Sequence, residues 1–260
     1  MIRFMAIGDV TSPKAATALA ASLWRIRREH KIDLLAVNAE NAGFIIGPSP
    51  DLARTLLDSG ADVLTGGNHI LQNTALLGMM ENDSRVLRPA NYPDAVPGFG
   101  YTLLTANGYR VLVANLLGRV HIDPPLDSPF IAAERILARE EGRYDLAFLD
   151  FHAEATGEKT ALAHYLDGKY TAVYGTHTHV PTADLSILPN GTGYVSDLGM
   201  CGAEGCILGM ERDSVLRRYV TGIPTRFAAA EGEMYADAVI FTADESTGKT
   251  VSLSRVRLSL

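Results

Sequence analysis

Tyr170-Thr171-Ala172-Val173-Tyr174-Gly175-Thr176-His177-Thr178-His179-Val180 is a run of strand-forming residues that ends abruptly in a glycine and two histidines. A short apolar stretch bounded by turn formers reads as a buried strand. The pattern recurs upstream: Ile2–Ile7 stops at Gly8-Asp9, and Leu34–Val37 stops at Asn38-Ala39-Glu40-Asn41. Ala61–Leu64 stops at Thr65-Gly66-Gly67-Asn68-His69, and Leu146–Phe151 stops at His152. Helical patterns lie between these runs. Ser49-Pro50-Asp51 supplies an N-cap, a first-turn proline and an early acid, and Gly60 closes that helix. Ser128-Pro129 opens another, with Ala132, Ile136 and Leu137 on one face and Gly142 at its end. Alternating strands and helices predict a largely parallel arrangement with right-handed crossovers.

Other stretches carry hairpin signals, which mean antiparallel strands. Asn107-Gly108 sits within Tyr101–Val113, Asn190-Gly191 within Ile187–Val195, and Asp244-Glu245-Ser246-Thr247-Gly248 within Met234–Val256. The expectation is an α/β chain with mixed sheets and helices outside. No linker, low-complexity stretch or repeat interrupts it, so residues 1–260 are read as a single domain.

Composition narrows the function. With 47% hydrophobic and 20% charged residues over 260 positions, enough apolar surface exists to offset the ordering entropy, which excludes disorder as the main state. No apolar run approaches the roughly 20 residues of a membrane span. The opening Met1–Ile7 stretch is too short for a secretory signal, so a cytoplasmic protein is expected. Lys and Arg number 23 against 30 Asp and Glu, a net charge of −7 that argues against electrostatic gripping of nucleic acid. The one basic cluster, Arg25, Arg27, Arg28 and Lys31, reads as the solvated face of a surface helix. Two cysteines, Cys201 and Cys206, are too few for a disulfide scaffold or a structural zinc site and read as free thiols.

The chemistry lies where the strands stop. Asp9, Glu40, Asn41, Asn68, His69, His152, His177 and His179 all fall at or just past predicted strand C-termini, the edge where α/β sheets bind ligands. Taken alone, each is as readily a turn residue or a satisfied core histidine. His177-Thr178-His179 is the stronger element, because an extended backbone would place both imidazoles on one side. Jointly the set suits two cations about 3.5–4 Å apart better than one, which would leave several ligands unused. Two divalent ions carry +4 against −2 from Asp9 and Glu40, a balance that a hydroxide and a phosphodiester monoanion would complete. Nitrogen and oxygen ligation without thiolate suits iron or manganese, with zinc less decisively excluded.

Several segments then resemble a known family. Gly8-Asp9-Val10, Asn38-Ala39-Glu40-Asn41, Gly67-Asn68-His69, Arg88-Pro89-Ala90-Asn91-Tyr92-Pro93, Asp150-Phe151-His152-Ala153-Glu154-Ala155-Thr156 and Gly175-Thr176-His177-Thr178-His179-Val180 are similar to the YmdB-like metallophosphoesterases of the calcineurin-like superfamily. The likeness runs almost end to end, through Leu126-Asp127-Ser128-Pro129-Phe130 and Asp197-Leu198-Gly199-Met200. It implies a four-layer α/β/β/α sandwich and a centre of two metal ions per chain, iron before manganese or zinc. By the same resemblance Asp9, Asn41 and His179 would hold one ion. Asn68, His152 and His177 would hold the other, Glu40 would bridge them, and His69 would be the catalytic proton donor. The implied reaction is hydrolysis of a small phosphodiester, with 2′,3′-cyclic nucleotides as the associated substrates, by a metal-bridging hydroxide. The chain departs from the family pattern at Thr11-Ser12-Pro13, Ala39 and Leu71. None of these removes a ligand; they bear on the shape of the substrate pocket.

Competing readings are an amidohydrolase, which also uses His-x-His but from its first barrel strand, and a phosphomonoesterase. A regulatory or RNA-associated protein that keeps the metal site with little turnover is another. Arg88, Asn91, Tyr92 and Arg119 flank the motif segments and are candidates for orienting substrate or, equally, for structural hydrogen bonding. No membrane partner is expected, and the sequence leaves a homo-oligomer open.

Overall fold

The apolar run Ile2–Ile7 forms β1, and the chain is organised around what happens at its end. The structure, a computed structural model, describes all 260 residues, Met1–Leu260. After β1 the chain passes through β2 (Asp9–Val10) into α1 (Pro13–His30) and then β3 (Leu34–Asn38). α2 (Pro50–Asp58), β4 (Val63–Thr65) and α3 (Leu77–Asn82) follow. The middle holds β5 (Tyr101–Ala106), β6 (Tyr109–Leu117), α4 (Pro129–Arg139), β7 (Leu146–His152), α5 (Thr156–Tyr165) and β8 (Ala172–Thr176). β9 (Ser186–Ile187), β10 (Gly193–Val195), β11 (Met200–Ala203), α6 (Arg212–Thr221), β12 (Met234–Asp244) and β13 (Lys249–Ser259) complete it.

Two mixed sheets result. One runs β2-β11-β12-β1-β3-β4, with β13 beside β12, and the other runs β5-β6-β7-β8-β10-β9. β1, β3 and β4 are parallel, as are β6, β7, β8 and β10. The three hairpin signals give the antiparallel pairs β5–β6, β9–β10 and β12–β13.

Three apolar layers hold the α/β/β/α sandwich together. Between the sheets, Phe4 stacks on Phe148 with ring centroids 3.9 Å apart, and Tyr174 and Phe241 pack around them. Leu19, Leu23 and Ile26 of α1 cover the outer face of the first sheet, with Leu56 of α2. Ala132 and Ile136 of α4, with Leu162 and Ala163 of α5, cover the outer face of the second. A fully buried Phe or Leu contributes roughly 1.5–3 kcal/mol, so the inter-sheet aromatic cluster is a main tie between the halves.

The element ends show why the sequence folds this way. Ser12 caps α1 by accepting from Ala15 N, with Pro13 at the first helical position. The Thr11-Ser12-Pro13 departure thus supplies the start of α1. Ser49 caps α2 by accepting from Leu52 N, and Gly60 follows that helix at φ 117°. The run read from Ala61 becomes a strand only at Val63, because the Asp62 carboxylate is taken by Leu35 N and Arg27. Arg27 is therefore structural rather than solvated: it also donates to Gly60 O and Asp33 O. The strand read from Tyr170 begins at Ala172 and runs on to Thr176. No helix is long and apolar enough to cross a membrane.

Candidate active site

The ends of β1, β3, β4, β7 and β8 meet where the two sheets face each other, and they bring together Asp9, Glu40, Asn41, His69, His152, His177 and His179. Glu40 is at the centre. Its Oε1 accepts from Asn41 Nδ2 at 3.1 Å and lies 3.2 Å from both His152 Nε2 and His69 Nδ1. Its Oε2 accepts from His69 N at 3.0 Å. Asp9 Oδ2 accepts from His177 N at 3.1 Å, and its Oδ1 stands 3.7 Å from His152 Nδ1 and His179 Nε2. Glu40, His152 and His177 each place a ligand atom within 4.8 Å of the others. Asn41 Nδ2 lies 3.3 Å from His179 Nε2, on the Asp9 side.

Close approach depends on glycine. A Cβ at Gly67 would lie 2.3 Å from the His152 ring and 2.4 Å from Glu40 Oε2. Only glycine lets this turn pass beneath the site.

His177 and His179 do not sit on an extended backbone, contrary to the alternation argument. β8 ends at Thr176, and both histidines take left-handed conformations, φ 104° and 63°. His177 N donates to Asp9, and Thr178 N donates to Asp197 Oδ2 at 3.0 Å. These bonds hold a strained turn that swings both rings into one cavity. Asp197 is in turn fixed by a buried ion pair with Lys159, Nζ to Oδ2 2.9 Å.

Hydrogen bonds on the outward nitrogens decide which nitrogen of each histidine faces the site. Thr176 Oγ1 donates to Asp150 Oδ1 at 2.7 Å, so it accepts from His152 Nδ1 at 2.9 Å and leaves Nε2 facing Glu40. Glu154 Oε2, 3.0 Å from His177 Nε2, takes that proton and leaves Nδ1 facing inward, 3.1 Å from His152 Nε2. Leu208 O accepts from His179 Nδ1 at 3.1 Å and leaves its Nε2 toward Asp9 and Asn41. Partners of this kind are the usual means of fixing a metal-binding imidazole.

The charges are strongly perturbed. Burial opposes ionisation of Glu40, but attraction and hydrogen bonding from His152, then His69, hold its pKa well below the usual value. Burial raises the pKa of Asp9 against the pull of His179 and His152. Burial likewise opposes charge on His152, yet Glu40 and then Asp9 raise its pKa to about 9. Burial and the adjacent His152 charge lower His177 to about 3. Burial lifts Asp150 to about 6 despite the hydroxyls of Thr65 and Thr176.

The donor set fits hard or borderline cations. Asp9 Oδ1 and Asn68 Oδ1 are buried with no hydrogen-bond donor, a costly state for an oxygen unless a cation meets it. Carboxylate, amide and imidazole groups with no thiolate nearby are the ligands such ions take.

A cavity of about 440 Å³ opens over these groups, lined by His69, Glu154, His177 and His179 and walled by Phe44, Met210 and Phe227. Of the three departures only Thr11 reaches it; Ala39 is buried in the core and Leu71 packs against apolar clusters. The flanking candidates lie elsewhere. Arg88 donates to Pro89 O, Val96 O and Pro97 O, and Asn91 ties Leu117 to Asp127. Tyr92 is buried, and neither it nor the exposed Arg119 lines the cavity. Sequence reasoning passed over Glu154 and Thr176 as functional residues, although both stand inside motif segments.

A model of the YmdB-like protein family matches residues 5–256. The chain belongs to that family. It is 39% identical to a Bacillus subtilis protein named 2′,3′-cyclic-nucleotide 2′-phosphodiesterase, over 99% of this chain and 97% of that one. A crystal structure of a hypothetical protein from Thermus thermophilus superposes with TM-score 0.91 at 39% identity, covering 99% of each chain. A crystal structure described as a novel phosphatase from Mycoplasma pneumoniae superposes with TM-score 0.90 at 30% identity, covering 99% of this chain and 93% of the other. The fold is thus the mixed two-sheet sandwich of metallophosphoesterases.

Proposed function

We propose that this protein is a metal-dependent phosphodiesterase that opens 2′,3′-cyclic nucleotides. In this reading Asp9, Asn41 and His179 hold one divalent ion, Asn68, His152 and His177 hold a second, and Glu40 reaches both. The observation that carries it is the set of ligand atoms gathered at the site: two buried oxygens without hydrogen-bond donors and three imidazole nitrogens turned toward the site by outward hydrogen bonds. Iron or manganese suits this nitrogen and oxygen set, with zinc as the alternative. When bound, two such ions supply Lewis acidity toward the phosphoryl group and lower the pKa of a coordinated water.

The chain's own residues do the rest. Glu40 Oε1 lies 3.2 Å from His69 Nδ1 and accepts its proton, so Nε2 is the nitrogen offered to the cavity. A protonated His69 there can give its proton to the alkoxide that departs when the diester opens. Glu154 and Leu208 O keep His177 and His179 in the tautomers that point inward. Phe44, Met210 and Phe227 exclude water from one wall and offer apolar surface to a base or ribose. The chain from 1 to 260 works as one domain, and its two free thiols, Cys201 and Cys206, suit the reducing cytoplasm.

Elemental analysis of the purified protein, followed by hydrolysis of 2′,3′-cyclic nucleotides, linear diesters and monoesters, tests this reading. Two equivalents of a divalent metal and a preference for the cyclic diester are expected. A metal-loaded protein that turns over only monoesters would overturn it.

A further inference from the structure

A cavity of about 600 Å³ lies apart from the one over the metal-site candidates and shares no lining residue with it. It lies between α4, the edge strand β5 and the loop that precedes that strand. Arg135 and Arg139 line it one helical turn apart on α4, and Arg143, just past the end of that helix, lines it too. Like charges at this spacing destabilise an isolated helix, and their accumulation calls for a compensating partner. Arg143 has one: Glu140 Oε2 lies 3.0 Å from its guanidinium, while Glu140 Oε1 accepts from the Tyr101 hydroxyl at 2.8 Å. Arg135 and Arg139 form no ion pair with any carboxylate of the chain.

The charge of the cleft opposes that of the protein. Four arginines against Asp94 and Glu140 give its lining a formal +2, in a chain of net −7. Arg88, the fourth arginine, is buried and already saturated by backbone carbonyls, so it contributes field rather than contacts. Glu140, which would repel an anion, is paired with Arg143 and accepts from the Tyr101 hydroxyl, and Asp94 is exposed to solvent.

The opposite wall carries an exposed aromatic ring. Phe99 is 42% exposed there. Its neighbour Gly100 is packed so closely that a Cβ would lie 2.4 Å from Ala90. The volume falls within the range of small-molecule sites. Guanidinium groups match phosphate oxygens in a two-pronged geometry, and an exposed aromatic ring offers a stacking surface.

We infer that this cleft is a second, non-catalytic anion site that takes a phosphorylated small molecule of nucleotide size. Arg135 and Arg139 engage its phosphate oxygens, and Phe99 meets its base or sugar.

Calorimetric titration of the metal-loaded protein with ADP and with pyrophosphate tests it. Both ligands could also enter the catalytic cavity, so the decisive comparison is the Arg135→Gln/Arg139→Gln double variant. Losing charge-assisted hydrogen bonds should weaken binding about tenfold or more, with hydrolysis of cyclic diesters unchanged. Phe99→Ala separates the two ligand sources: weaker ADP binding with unchanged pyrophosphate binding assigns a nucleotide. Equal binding of both ligands, unaffected by Phe99→Ala but weakened in the arginine variant, assigns an inorganic oligophosphate. Melting curves of each variant should match the parent, since all three side chains are solvent-exposed. No binding at millimolar ligand, or binding undiminished in the double variant, would overturn the assignment.

Discussion

Raising the pH of the metal-free protein should weaken its fold through one residue, His152. Its imidazole is fully buried, with Nε2 3.2 Å from Glu40 Oε1 and Nδ1 3.7 Å from Asp9 Oδ1. Burial disfavours the charge, but Glu40 and then Asp9 outweigh it and raise the pKa from 6.5 to about 9. The folded chain therefore keeps a proton that the unfolded chain releases above pH 6.5. The resulting stability is fully present below that value and is lost as the pH climbs through about 9. At about 1.4 kcal/mol per pH unit, that interval corresponds to about 3 kcal/mol, a large part of a typical unfolding free energy. His177 does not act in this window. Its folded pKa lies near 3, so its contribution is present above 6.5 and fades only as the pH falls. Urea unfolding of chelator-treated protein should show the free energy declining from near-neutral to alkaline pH. His152→Gln should flatten that decline. Loaded protein should not follow the same curve, because a cation takes the place of the proton. A flat profile for the stripped protein, or an identical decline in His152→Gln, would refute the reasoning.

Three further outcomes are expected. His69→Ala should keep its metal content but lose roughly 10²–10⁴-fold in kcat, the usual worth of general acid catalysis, and lose less on a nitrophenyl diester whose leaving group needs little protonation. Equal losses on activated and unactivated diesters, or loss of metal, would show that His69 is not the acid. Glu40→Ala should lower occupancy at both metal positions whereas Asp9→Ala lowers mainly one, and elemental analysis that finds two tightly held ions in Glu40→Ala would remove Glu40 from the bridging role. Glu154→Gln should weaken metal binding about 10–100-fold, because the amide can no longer enforce the His177 tautomer. Chelator competition that gives parent-like affinity would show that the turn alone orients the ring.

What the sequence reveals of this site follows from the range of the contacts involved. Buried parallel strands are visible as apolar runs, and the residues at their ends are visible because turn formers mark where each run stops. Asp9, Glu40, His152 and the His177–His179 pair are found this way without any knowledge of distance. The groups that orient them are hidden for a different reason. Leu208 O meets His179 across 29 residues through a backbone carbonyl, which no side-chain pattern can signal. Lys159 reaches Asp197 across 38 residues from the interior of a helix, where lysine ordinarily reads as solvated. The left-handed turn at His177 is equally unreadable, since β-strand alternation predicts the right destination for both rings by the wrong backbone path. Thr176 and Asp150 were within reach. Asp150 and His152 are two apart in β7 and share one face, and β7 pairs in parallel register with β8 so that His152 lies beside Thr176. A polar residue two positions before a strand-end histidine, on a strand otherwise wholly apolar, has few reasons to be buried except to fix that histidine. Period-two reading carried past the last apolar residue would therefore have extended the site by one layer, from the groups that face a metal to those that hold them in place.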